Sequence, residues 1–239
     1  MYIYAHSYWD KGKRDINQDS LILLQGIYGN NPIVLACVCD GIGGLDNGEK
    51  ASAYCIMQIN KWFMEEGMSL FIKGRKRAIC NSLLRLSFKM NNGYMENKKQ
   101  LAKHGTTCSL ILLYKRRVIC MHIGDSRIYK IKKGKMSQIT KDHTLNGALT
   151  KCFGSFEYRK PDIRSFRLGV EEGLFICSDG FYRKETEAVI GESLNPEEIV
   201  TNNQLQKRLN SLGEHIKKLG ETDNISGIVI IQKKKGVLV

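Results

Sequence analysis

The sequence predicts an α+β domain in which antiparallel strands are layered against helices packed outside them. Short apolar runs rich in β-branched residues recur from Tyr2 to Ile231, helical periodicity appears in a pair of segments early and again late, and the strands group between and around those segments instead of alternating with them. At 239 residues the chain can bury a sizeable core. Its 42% hydrophobic and 26% charged residues, three prolines and lack of low-complexity tracts exclude disordered and fibrous classes. No internal repeat or linker marks a second domain, so 1–239 reads as one unit.

Tyr2 to Tyr8 and Leu21 to Leu24 read as strands on either side of a Lys11-Gly12-Lys13 turn. Ile33 to Cys39 is a continuous apolar run after Pro32, too short for a helix and suited to a strand buried on both faces. Asp46 and Glu49 stand at capping-box spacing, and Cys55, Ile56, Ile59, Trp62 and Phe63 follow at helical intervals, which predicts a helix from about Asn47 to Glu66. A second helix after Gly74 carries the stripe Ile79, Leu83, Leu86 and Met90. Cys108 to Tyr114, Val118 to Ile123, Ile128 to Ile131 and Met136 to Ile139, joined by Lys-Arg and Lys-Gly turns, predict an antiparallel meander. Strands are expected at Ile163 to Leu168, Leu174 to Cys177 and Ile225 to Ile231. Between the last two, a long helix opened by Asn195-Pro196 carries Leu205, Leu209, Leu212, Ile216 and Leu219.

The eight cysteines are scattered without a Cys-x-x-Cys pair, and most lie inside apolar runs, where a reduced thiol acts as a small hydrophobe. The formal charge of +13 gathers in clusters at Lys73 to Arg77, Lys115 to Arg117, Lys132 to Lys135 and Lys233 to Lys235. These read as loops and ends without interleaved aromatics or a DNA-reading motif, so no nucleic-acid partner is expected. The N-terminus lacks the build of a signal peptide and no apolar run is long enough for a bilayer, which predicts a cytoplasmic protein with no membrane partner.

The acids at strand ends carry the chemistry. Asp40-Gly41 closes Ile33 to Cys39, Gly124-Asp125 closes Val118 to Ile123, and Asp179-Gly180 closes Leu174 to Cys177. Asp223-Asn224 precedes Ile225 to Ile231, and Asp19 precedes Leu21 to Leu24. One Asp-Gly after a strand is usually a turn. Several acids at the ends of core strands together suit Mg²⁺ or Mn²⁺, hard cations that take oxygen ligands from rigid elements. Gly-x-Ser-x-Gly, P-loop, His-Glu-x-x-His and Cys-x5-Arg motifs are all absent, which favours a water nucleophile made by bound metal.

Seven motifs, in order, resemble those of the metal-dependent type 2C serine/threonine protein phosphatases over nearly the whole chain. They are Arg14-Asp15-Ile16-Asn17-Gln18-Asp19, Asp40-Gly41-Ile42-Gly43-Gly44, Gly105-Thr106-Thr107, Gly124-Asp125-Ser126-Arg127, Asp142-His143-Thr144, Ser178-Asp179-Gly180 and Asp223-Asn224-Ile225-Ser226. The resemblance implies a four-layer α-β-β-α sandwich with two central antiparallel sheets. It also implies a monomeric enzyme that hydrolyses phosphoserine and phosphothreonine in proteins phosphorylated by a serine/threonine kinase.

By the same resemblance, Asp40 would bridge two Mn²⁺ or Mg²⁺ ions, with Asp179 and Asp223 completing one site and the Gly41 carbonyl joining Asp40 at the other. A third ion, found in microbial members, would use Asp125. Asp19 would hold metal-bound waters, Arg14 would clamp the phosphate, and a water bridging the metals would attack phosphorus directly. Two departures stand out. Ile42 replaces a histidine that some eukaryotic relatives use as a general acid; of the nearby alternatives, Asp142 and His143 are expected to be structural. Only residues 144–148 separate His143 from Leu149, so the helical flap of microbial relatives is nearly deleted, with 144–149 in its place. The open groove keeps phosphotyrosine or small phosphoesters as alternative substrates; a non-catalytic adaptor or sensor is the alternative class, against which the retention of every expected metal acid argues.

Overall fold

Apolar runs that have no polar face can be satisfied only by burial on both sides, and that demand organises the molecule. A computed structural model describes residues 1–42, 47–96, 105–154 and 157–234, and the structural statements below concern these. Gly43, Gly44, Asp46 and Lys235, named above, lie outside the described residues.

One sheet consists of β1 (Tyr2–Asp10), β12 (Ile225–Lys233), β11 (Glu172–Cys177), β6 (Arg127–Lys132) and β7 (Lys135–Gln138), in that order. The other runs β10 (Asp162–Arg167), β5 (Arg117–Ile123), β4 (Cys108–Tyr114), β3 (Asn31–Asp40) and β2 (Asp19–Tyr28). All pairings are antiparallel.

In β3, alternation sends Val34, Ala36 and Val38 into the layer between the sheets, where they join Ile111, Val118, Ile176 and Ile228. Ile33, Leu35, Cys37 and Cys39 face the other way, onto helices α1 (Gly48–Trp62), α2 (Met68–Ile72) and α3 (Lys76–Glu96). A wider π-type turn, Phe63–Gly67, joins α1 to α2, and the Trp62 indole ties α1 to α3 by donating to Ser82 Oγ at 2.8 Å. The first sheet is covered by α5 (Glu187–Ser193) and α6 (Asn202–Lys218), beyond a short α4 (Asp179–Tyr182). The α-β-β-α sandwich is therefore present.

Three expectations are corrected. The strands from Cys108 to Gln138 do not form one meander, because β5 and β6 lie in different sheets and the chain crosses between them at Gly124–Ser126. The late helix starts at the Thr201 cap, whose hydroxyl accepts from Gln204 N at 3.1 Å; Asn195-Pro196 belongs to a preceding turn, and Leu219 is an exposed C-cap. The early helix is capped by Asn47 in the left-handed conformation, without a side-chain cap bond.

Six of the eight cysteines are buried and two are partly buried, all reduced. Cys37 Sγ lies 3.7 Å from Cys39 Sγ and 3.6 Å from Cys108 Sγ, inside the layer between sheet and helices. No described helix is long and apolar enough to cross a membrane.

Candidate metal centre

Asp40 is the last residue of β3 and pairs in register with Asp19, the first of β2. The Asp40 N–H donates to Thr107 Oγ1 at 3.0 Å, and its carbonyl accepts from Thr107 N and Thr106 Oγ1, each at 2.9 Å. Thr107 Oγ1 is in turn 2.6 Å from Ser126 Oγ. Gly41 leaves the strand where only glycine fits, because a Cβ would lie 2.3 Å from Gly48 O and 2.7 Å from Gln18 O.

Asp125 sits on the crossing between sheets. Gly124 makes that crossing with φ +108, which favours glycine, and an added Cβ would lie 2.5 Å from Thr107 Cβ. A chain of contacts frames this point. The Asp142 carboxylate accepts from Arg127 Nη2 at 2.8 Å and from Gln138 Nε2 at 2.7 Å. The Arg127 guanidinium lies 3.7 Å from the centre of the Tyr182 ring, and the Tyr182 hydroxyl donates to the Asp125 carbonyl at 3.0 Å. His143 Nδ1 accepts from Gly124 N at 3.1 Å. Asp142 and His143 thus brace the loop that carries Asp125.

Asp179 opens α4, and Asp223 stands just before β12. Their loops approach closely because residue 180 is glycine; a Cβ there would lie 2.1 Å from Asn224 O. Asn224 fixes the N-terminal loop as well: its Oδ1 accepts from Gln18 N at 2.8 Å, and its Nδ2 donates to Lys11 O at 2.9 Å. Asp19 is buried behind the cleft, with Ser178 Oγ donating to its Oδ2 at 2.8 Å. Arg14 reaches over from the same N-terminal loop and places Nη2 3.0 Å from Asp223 Oδ2.

Arg14, Asp40, Gly41, Asp125, Asp179 and Asp223 line one cleft, and Asp19 lies beneath it. The electrostatics are those of crowded, poorly solvated acids. Burial, and then Asp19, Asp179, Asp125 and Asp223, hold the Asp40 carboxyl well above the usual range. Burial raises Asp179 to about 7, with Arg183 opposing it and Asp125 adding to it. Burial raises Asp19 to about 6, against the hydrogen bond from Ser178, and raises Asp125 as well. Five carboxylates faced by two guanidiniums form a donor set of hard oxygens with negative charge to spare, which fits divalent cations of the Mg²⁺ and Mn²⁺ kind.

Residues 144–149 form a hairpin, β8 (Thr144–Leu145) and β9 (Ala148–Leu149), turned by Asn146 and Gly147 at φ 50 and 79. Gly147 and Leu149 reach the cleft rim. The Asn-Gly pair could have revealed this hairpin in the sequence, and Thr107, Ser126, Arg183 and Asn224 are supports that strand-end reasoning did not assign.

The profile of the family described as Protein phosphatase 2C matches residues 12–222. The chain is 25% identical over 217 residues to the serine/threonine phosphatase stp of Listeria innocua, covering 80% of this chain and 83% of that one. The S. agalactiae serine/threonine phosphatase superposes with a TM-score of 0.81 at 22% identity, over 97% of this chain and 100% of that one. The catalytic domain of the serine/threonine phosphatase PstP, solved in complex with 2 manganese ions, gives a TM-score of 0.76 at 24% identity, over 97% and 99%.

Proposed function

The chain belongs to the protein phosphatase 2C family, and on that premise we propose that it is a Mn²⁺- or Mg²⁺-dependent hydrolase of phosphoserine and phosphothreonine in cytoplasmic phosphoproteins. The observation that carries this reading is the convergence of Asp40, Asp125, Asp179 and Asp223, from four separate elements, on one cleft rimmed by Arg14.

Asp40, Asp179, Asp223 and the Gly41 carbonyl would hold the catalytic ions, and Asp125 would serve a further one. When bound, the ions supply activation of a water nucleophile and charge balance for the phosphoryl oxygens. The chain's own residues set the geometry. Thr106 and Thr107 fix the Asp40 backbone, and the close seat of Gly180 on Asn224 brings Asp179 to Asp223. Arg14, half exposed and on a loop tied down by Asn224, is placed to receive the substrate phosphate through two parallel donors. Asp19, buried behind Asp40 and held by the Ser178 hydroxyl, would hold water bound to the ions.

We also assign residues 1–239 to one catalytic unit in which the 144–149 hairpin stands in for a flap, leaving the groove open. The test is hydrolysis of p-nitrophenyl phosphate and of phosphothreonine and phosphotyrosine peptides with added Mn²⁺, alongside chelator and Asp40→Asn controls. Metal-stimulated turnover of the phosphothreonine peptide is expected. Preference for phosphotyrosine would move the substrate assignment, and the absence of turnover on every substrate would refute an enzymatic role.

A further inference from the structure

Arg183 is assigned neither an ion nor the substrate phosphate above. It follows α4, four residues after Asp179, and its N–H donates to the Asp179 carbonyl at 3.0 Å, so its side chain turns back over the acidic cleft. The guanidinium bridges two carboxylates: Nη2 pairs with Asp179 Oδ2, and Nη1 lies 3.0 Å from Asp223 Oδ2. Asp223 Oδ2 also accepts from Arg14 Nη2 at 3.0 Å, while Asp223 Oδ1 accepts from Asn224 N at 2.9 Å.

A carboxylate oxygen offers about two lone-pair sites. Both sites on Asp223 Oδ2 are taken by guanidiniums, and one oxygen of Asp179 is taken by the same Arg183. A Mg²⁺-like ion needs its oxygens at about 2.0–2.1 Å and repels a guanidinium seated on them. It therefore cannot use Asp223 Oδ2 while both arginines hold it. The Arg183 side chain is 48% exposed, so it can withdraw into water at small cost. Asp179 and Asp223 are two of the carboxylates assigned above to the catalytic ions.

We propose that Arg183 is a built-in competitor of the divalent cation: it holds Asp179 and Asp223 together in the metal-free chain and yields them when the ion binds. Arg183 is thus a positioning residue that sets metal affinity. The inference rests on the reading of the cleft as a divalent-cation site. A positive charge seated on oxygens of both carboxylates repels the ion and raises the cation concentration needed to fill the site. It also protects the metal-free fold from the mutual repulsion of the acids.

The test is Mn²⁺ binding to the purified full chain without substrate, followed by the electron paramagnetic resonance of free Mn²⁺ at low ionic strength, with thermal melting in parallel. Arg183→Ala is expected to bind Mn²⁺ roughly ten-fold more tightly than wild type. Arg183→Lys should fall between them, because a lysine keeps the charge but cannot span two carboxylates. In chelator, Arg183→Ala should melt below wild type, and saturating Mn²⁺ should close that gap. A side chain that merely supported the site would give the opposite result, weaker Mn²⁺ binding on removal. Equal or weaker binding by both variants overturns the proposal. If Arg183→Ala does not fold, the direction of the Arg183→Lys shift decides. Failure of wild type itself to bind Mn²⁺ would refute the cation-site reading rather than the role of Arg183.

Discussion

Thr107→Val tests the proposition that Asp40 is held by buried backbone hydrogen bonds. Valine matches threonine in shape but not in its hydroxyl, so packing against Gly124 is retained while two hydrogen bonds are lost. Thr107 Oγ1 accepts from Asp40 N at 3.0 Å and lies 2.6 Å from Ser126 Oγ, and Thr107 and Ser126 are both buried. Each orphaned buried group costs about 1–3 kcal/mol, so the two together cost roughly 2–6 kcal/mol. For a chain of this size about 1 kcal/mol moves the melting temperature by about 2–4 °C, which puts the expected fall at roughly 4–24 °C. Urea unfolding in chelator measures the effect free of any metal contribution. The double variant Thr107→Val/Ser126→Ala removes one orphan, so it should be less destabilised than the sum of the two singles by about 1 kcal/mol or more. Thr107→Ser keeps the oxygen and should recover most of the loss. A Thr107→Val protein within about 0.5 kcal/mol of wild type, the range of inert surface changes, would refute the argument.

Three further outcomes follow from the same cleft. Asp40→Asn should abolish metal-stimulated hydrolysis by more than the roughly 100-fold that loss of an outer partner costs. In chelator it should also melt at least about 3 °C higher, the response to roughly 1 kcal/mol of relieved repulsion; a lower melting temperature would contradict that reading. Asp179 is raised to about 7 from 3.8, so its folded form binds a proton more tightly than its unfolded form, and stability is lost as pH rises through that window. Asp179→Asn should therefore match wild type near pH 4 in chelator and exceed it above pH 7 by on the order of a few kcal/mol. His6, His122 and His143, held low by burial, titrate alike in both proteins and cancel; a pH-independent difference would count against the shift. Arg127→Lys loses the fork that grips Asp142 and the stacking over Tyr182, and should lower the urea midpoint by the equivalent of about 1.5–3 kcal/mol.

The sequence made the strands legible because their alternation answers to two buried faces at once: Val34, Ala36 and Val38 fill one layer while Leu35, Cys37 and Cys39 fill the next. It did not reveal that the chain changes sheets between Ile123 and Arg127. Local alternation looks the same in a meander and in a crossing, and the signal, φ +108 at Gly124, is visible only as a glycine beside an acid. The late helix starts at its Thr201 cap and not at Asn195-Pro196, because a side-chain cap satisfies the first-turn N–H groups that proline leaves open. Thr201 and Gln204 stand at capping-box spacing, and the Thr201 hydroxyl does accept from Gln204 N.

The acids and Arg183 were unequally legible for a physical reason. Each aspartate ends or begins a strand, so a one-dimensional pattern places it at an edge of the core without knowledge of its partners. Arg183 acquires meaning only through Asp223, forty residues away in sequence and brought near by the seat of Gly180 on Asn224. From the sequence it is one basic residue among the 37 that give the chain its charge. In the fold it is one of two guanidiniums that face five carboxylates, and its placement on two of them offsets part of their repulsion, which no one-dimensional pattern could show.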